Sequence, residues 1–268
     1  MTRRPATSPV RPGEAMASLD RERRARDRDR LAAGEPVDVL VVGAGVTGAG
    51  VALDAASRGL SVALLERHDL AHGTSRWSSK LVHGGLRYLA KGDLGIAWES
   101  AVERHVLATT VAPHLMSAVP QLVPVLADDV AYAPALTRAG LLGGDLIRRG
   151  ARTPGSVIPR SRHVTRAEAL RLAPALDPAR TRGGLVTWEE RLEDDARLVV
   201  AITRTAAAFG ARVLTRAAVR SMGAGGAVVE DLLDDGTFEV RARHVVNATG
   251  VWAGELDPSV RLTPSRGT

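Results

Sequence analysis

The chain has 268 residues, 45% hydrophobic and 25% charged, so it is long enough for a sizeable core and is not a disordered polymer. It has no cysteine, which excludes a disulfide framework, an iron–sulfur cluster and a cysteine nucleophile. Net charge is +6, carried almost entirely by arginine, since Lys80 and Lys91 are the only lysines. Guanidinium groups suit anionic ligands, but acids are interleaved along the chain and aromatics are only 3%, so no nucleic-acid platform is expected.

Residues 1–36 read as a flexible basic tail with prolines early and a charged run after Asp20, a short solvated helix at most. From Val37 the texture changes. Residues 37–42 are a β-branched, buried-strand pattern that ends in glycine. Residues 49–58 carry small side chains at helical spacing, with Gly59 as a C-terminal stop, and residues 61–66 form a second strand. This is one βαβ unit. Residues 70–90 read as a Gly-, Ser- and His-rich loop, and residues 94–115 as a long helix. Further on, residues 194–209 read as a helix, 211–219 as a strand, 228–233 and 237–242 as a hairpin around Asp234-Asp235-Gly236, and 244–250 as a separate buried strand.

The chemistry is concentrated in Gly43-x-Gly45-x-x-Gly48, which follows a strand, opens a helix and has Glu66 at the end of the next strand. Gly43 allows the tight turn, Gly45 admits a pyrophosphate to the backbone, and Gly48 lets helix and strand approach. The helix N-terminus offers amides to the anion, and Glu66 can accept the ribose hydroxyls of an adenosine. These residues fit NAD or FAD. The hydroxyl-rich stretch from Gly73 to Lys80 and the turn Asn247-Ala248-Thr249-Gly250 favour the longer flavin. His68 and His72 lie four apart with no third ligand nearby, so no metal site is expected.

The run from Asp38 to Gly50, then Gly73-Thr74-Ser75 and Ser78-Ser79-Lys80-Leu81-Val82-His83-Gly84-Gly85-Leu86-Arg87-Tyr88-Leu89, resembles the FAD-dependent glycerol-3-phosphate dehydrogenase family of the D-amino-acid-oxidase-like flavoproteins. The likeness resumes at Asp195-Ala196-Arg197-Leu198 and at residues 247–252, and covers nearly everything after residue 36. It implies an α/β fold: a Rossmann-like FAD-binding domain, with a βαβ start and an antiparallel meander, carrying part of an inserted substrate domain. The expected boundaries are 37–115 and 193–256 for the FAD-binding domain, 116–192 for the insert, and 257–268 for the start of a further substrate-domain segment.

The resemblance also implies hydride transfer from C2 of sn-glycerol 3-phosphate to FAD, giving dihydroxyacetone phosphate, with a quinone as the next electron acceptor. Gly43, Gly45, Val46, Thr47, Gly48, Glu66 and Arg67 would hold the adenosine and pyrophosphate. Thr74, Ser75, Ser78, Ser79, Lys80, His83, Gly84 and Gly85 would line the flavin. Val219, Ala248, Thr249, Gly250 and Trp252 would complete the cofactor site, and Arg87 and Tyr88 would meet the substrate. The family's histidine near the flavin would follow Thr268, so a truncated form is expected, with no certain catalytic residue in this chain. A cofactor-binding fragment without turnover and a different flavin oxidoreductase of the superfamily are the alternatives. A cytoplasmic location, peripheral contact with the inner face of the cell membrane and a homodimer are further expectations.

Overall fold

The computed structural model describes residues 17–83, 92–128 and 133–263. The chain forms two compact units, one of residues 1–78 with 195–268, the other of residues 79–194.

The first unit is built on a six-stranded sheet. Its strands are β1 (Val37–Val42), β2 (Val62–Glu66), β7 (Arg212–Thr215), β8 (Ala217–Gly223), β9 (Gly226–Asp231) and β10 (Gly236–Asn247), in the order β7-β2-β1-β10-β9-β8. β1 runs parallel to β2 and to β10, and β2 parallel to β7, while β8, β9 and β10 form an antiparallel meander. Helix α2 (Val46–Ser57) joins β1 to β2. It presents Ala52, Ala55 and Ala56 to Val41 and Leu64 of the sheet and to Ala206 and Ala207 of helix α6 (Asp195–Ala208). Small side chains on both helices let them lie close on one face. The other face buries Leu40, Val42, Leu65, Val229 and Val240, with Leu31 packed among them. Each such aliphatic side chain contributes about 1.5–3 kcal/mol on leaving water.

Leu31 marks the first correction. Residues 21–32, expected within a flexible tail, form the docked helix α1 (Arg21–Ala32). Asp20 caps it by accepting the Arg23 amide at 2.8 Å, and Glu22 and Arg30 complement the helix dipole. Leu31 is fully buried, and Arg23 donates to the carbonyls of Ala207 at 2.8 Å and Ala211 at 3.1 Å. Arg23, part of a run that read as solvated, thus finds backbone acceptors far along the chain.

The second unit centres on a long antiparallel pair, β4 (Met116–Leu126) and β6 (Thr181–Leu192), with β5 (Arg162–Thr165) and the two-residue β3 (Leu81–Val82) also on β6. Pro120 and Pro124 are tolerated because β4 lies at the sheet edge. Helices α3 (Leu94–Val106), α4 (Ala133–Gly150) and α5 (Arg166–Leu172) complete it. The expected domain boundary at residue 115 is therefore too late. β3 pairs with β6, and Arg104 of α3 reaches Glu189 and Glu190 of the same strand, so residues 79–115 belong with the insert. The helix expected over 94–115 stops at Val106 and continues as a π-helical turn, Leu107–Val111, and a short 3-10 turn at Pro113.

Candidate cofactor site

The sharpest geometry of the first unit lies where β1 turns into α2. Gly43 has φ +100°, and a Cβ there would sit 2.6 Å from the carbonyl oxygen of Ala248. A Cβ on Gly48 would lie 1.9 Å from the carbonyl oxygen of Gly43, and one on Gly45 would lie 3.0 Å from the Ser75 hydroxyl. Each glycine thus answers a different crowding: strand turn against the β10 end, helix against strand, and turn against the 3-10 segment Thr74–Arg76.

The Glu66 carboxylate closes the same turn from β2. One oxygen accepts the Ala44 amide and the other the His68 amide, both at 2.8 Å. The carboxylate is therefore fixed in orientation, and each oxygen keeps a lone pair for a ribose hydroxyl. The first-turn amides of α2 have no acceptor within the helix. Val46 donates its amide to Ser75 Oγ at 2.9 Å, which seats the Thr74–Arg76 turn on the helix start.

The end of β10 supplies the opposite wall. Its ladder with β1 reaches Val42 opposite Asn247, and the Ala248 amide donates to the Val42 carbonyl at 2.8 Å. Asn247 Oδ1 accepts from the Thr249 hydroxyl at 2.6 Å and the Thr249 amide at 3.3 Å, and its Nδ2 donates to the Ala253 carbonyl at 3.0 Å. Asn247 thereby locks the Ala248-Thr249-Gly250 turn against Gly43.

The family model described as FAD dependent oxidoreductase, DAO, matches residues 38–268. The chain belongs to this family. Its curated relatives include glycerol-3-phosphate dehydrogenase 1 of Mycobacterium tuberculosis, 53% identical over 252 residues, covering 94% of this chain and 49% of the relative. Alpha-glycerophosphate oxidase of Streptococcus pneumoniae is 36% identical, over 87% of this chain and 38% of the relative. Among solved structures, the glycerol-3-phosphate dehydrogenase from Bacillus halodurans complexed with FAD has a TM-score of 0.62 at 29% identity, over 86% of this chain and 37% of that one. The chain spans about half the length, or less, of the relatives it matches.

The family's FAD fits the residues present: two positions, Gly43 and Gly48, where only glycine leaves room, a third, Gly45, close against Ser75, helix-start amides, and an oriented carboxylate one strand away. Gly43, Gly45, Val46, Gly48, Glu66, Ser75, Ala248 and Thr249 are brought together by these contacts, and Thr47 stands exposed on the first turn of α2. Trp252 covers Gly73, where a Cβ would lie 2.8 Å from the indole. Ser78 donates both its hydroxyl, at 2.7 Å, and its amide, at 3.1 Å, to Asp195 Oδ2. Arg67 faces Glu255 at 3.8 Å, with both side chains more than half exposed, an arrangement of little energetic weight. Val219 lies half-buried on β8, against the core of the meander.

Ser79, Lys80 and His83 belong to the second unit, where the Lys80 carbonyl accepts the Leu192 amide at 2.7 Å and His83 is exposed beyond β3. Gly84, Gly85, Arg87 and Tyr88 lie outside the described residues. His68 and His72 stack at 4.1 Å between ring centroids. Burial, with the nearby His72 and Arg67, holds the His68 imidazole below its ordinary pKa. Among the described residues no group of three metal-ligating side chains comes together.

Sequence reasoning used Asp195 and Asn247 only within longer motifs and named neither as a site residue. The signal for Asn247 was present: an Asn at a strand end with Thr two residues on is Asx-turn chemistry. Asp195 has no comparable local mark, because its partner Ser78 is distant in sequence.

Proposed function

We propose that the protein is a flavin-dependent dehydrogenase that oxidises sn-glycerol 3-phosphate to dihydroxyacetone phosphate and passes the electrons to a quinone. The observation that carries this reading is the 53% identity, across 94% of this chain, to a protein named glycerol-3-phosphate dehydrogenase. Bound FAD supplies an acceptor for the hydride leaving C2. The chain's own residues bind and orient. The glycine turn and the α2 amides take the pyrophosphate, and Glu66 takes the adenosine ribose. Thr74, Ser75 and Ser78 offer hydroxyl partners to the flavin in this reading, and Ser79, Lys80 and His83 keep the flavin-lining role that the resemblance implies. In this reading Arg87 meets the phosphate dianion bidentately and Tyr88 hydrogen-bonds a substrate hydroxyl.

The same reading places the protein in the cytoplasm as a homodimer touching the inner face of the cell membrane. Among the described residues no helix is long and apolar enough to cross a membrane. A second reading, a cofactor-binding chain without turnover, is supported by the glycine turn and the oriented Glu66 carboxylate, which serve FAD binding alone.

One experiment separates the two. The purified chain is loaded with FAD, and its visible spectrum is recorded anaerobically before and after addition of sn-glycerol 3-phosphate. Bleaching of the oxidised flavin bands is the expected result for the dehydrogenase. Flavin that binds and stays oxidised leaves the second reading.

A further inference from the structure

One corner of the first unit lies remote in sequence from the glycine turn. Arg216, between β7 and β8, has φ +56°. A non-glycine residue in the left-handed region is strained and persists only where its surroundings dictate it. Here the dictation is visible on both sides. The Arg216 amide donates to the His68 carbonyl at 3.1 Å, and the Arg216 carbonyl accepts the Leu232 amide at 2.8 Å.

Arg24 of α1 holds the same corner from outside. Its Nε donates to the Thr215 carbonyl at 2.9 Å, and its Nη2 lies 3.5 Å from the Arg216 carbonyl. The two Nη atoms also donate to the fully buried Asp231, at 2.7 and 3.3 Å. Asp231 Oδ1 accepts the Leu233 amide at 3.0 Å, which ties the carboxylate to the strand end beside the corner.

These bonds join to the cofactor site without a gap. Arg24 grips Thr215 and Asp231 around Arg216, and Arg216 holds the His68 carbonyl. The His68 amide holds one oxygen of Glu66, whose other oxygen holds the Ala44 amide of the glycine turn. We propose that Arg24, with Asp231, is a positioning residue for the adenosine end of the FAD site, acting through the Arg216 corner on the orientation of Glu66. The inference rests on the reading that Glu66 receives the adenosine ribose.

Arg28 is the internal control. It also faces Asp231, at 3.5 Å, but among the described contacts it reaches no carbonyl of the corner. Arg24→Ala and Arg28→Ala each remove one positive charge from the same carboxylate. Only the first releases the corner.

The test uses the whole chain, at a temperature where both variants are folded, with two readouts. The first is FAD dissociation, followed by flavin fluorescence. Arg24→Ala is expected to raise Kd at least tenfold and Arg28→Ala less than threefold. The second is amide hydrogen exchange in the flavin-free chain, where Arg24→Ala should speed exchange at Arg216, His68 and Ala44 at least tenfold and Arg28→Ala should not. Unchanged exchange in Arg24→Ala overturns the proposal whatever the flavin does, as do equal effects of the two variants. The expected exchange pattern in a chain that takes up no FAD supports the positioning role and sinks the reading of Glu66. Should Arg24→Ala not fold, Arg24→Lys serves: it keeps a charge toward Asp231 but has no second arm for the Thr215 carbonyl.

Discussion

Two buried carboxylates, one in each unit, have opposite surroundings. Asp231 in the first unit is fully buried, yet it receives Arg24 at 2.7 Å, the Leu233 amide at 3.0 Å and Arg28 at 3.5 Å. Glu190 in the second unit is 1% exposed and has Arg104 no nearer than 3.6 Å, with no hydrogen bond to Oε2. Burial works against the Asp231 charge, but the Arg24 hydrogen bond, the Leu233 amide and the two guanidinium charges outweigh it and hold the carboxyl below its ordinary pKa. Burial dominates at Glu190; Arg104 opposes it, Glu189 adds to it, and the carboxyl is pushed up to about 7. Neither side chain has appreciable solvent exposure, though Glu190 lies under more protein. What decides the charge state is whether donors are already in place when water leaves.

The largest expected effect breaks the well-served side. Asp231→Ala strands two arginines and should lower stability by about 3 kcal/mol, read as a shift in the urea midpoint at unchanged m-value; a loss under about 1 kcal/mol would mean that the donors hold little. Next comes Glu66→Gln. An amide in place of the carboxylate cannot accept from both the Ala44 and His68 amides, so one buried donor goes unpaired at a cost of about 1–3 kcal/mol. FAD affinity should fall about tenfold, and an unchanged Kd would remove Glu66 from the cofactor site.

The pH dependence sharpens the contrast. A carboxyl whose folded pKa is depressed stabilises above its unfolded value and loses that stabilisation as pH falls, so Asp231 predicts acid-side weakening below about pH 4. A carboxyl with a raised folded pKa does the reverse. The contribution of Glu190 is complete below about pH 4 and is lost as pH rises toward about 7, with a slope of at most about 1.4 kcal/mol per pH unit. Denaturation midpoints between pH 5 and 8 should decline in the parent chain and flatten in Glu190→Gln. The smallest effect has the opposite sign. Arg104→Met with Glu189→Leu and Glu190→Leu replaces that ill-matched pair, together with the second carboxylate facing Arg104, by apolar volume and should be neutral or stabilising by about 1 kcal/mol, seen as an unchanged or higher Tm. A clear loss would mean that the pair is better satisfied than its distances allow.

How much of this was legible in the sequence follows from how local each feature is. The βαβ unit was readable because Val37–Val42, the three glycines and Glu66 lie within one short stretch and obey one pattern. The 228–242 hairpin was readable from alternation around Asp234-Asp235-Gly236. The break at Arg216 was not, because nothing in its side chain favours φ +56°; remote hydrogen bonds impose it. Nor was it evident that β10 runs unbroken from Gly236 to Asn247, since its first half pairs with β9 and its second half with β1. The roles of Arg24 and Asp195 depend on partners far along the chain, and local sequence carries no mark of them.

The pairing of β1 with β10 sets a timetable. Val37 lies opposite Ala242, so one flank of β1 has no ladder partner until about 200 further residues exist. At roughly 5–20 residues per second, a ribosome leaves that strand edge open for about 10–40 s. The 79–194 unit is complete within that interval. An exposed β-branched edge is a template for wrong pairing. The nascent chain is thus most vulnerable between the appearance of the glycine turn and the arrival of the strand that closes it.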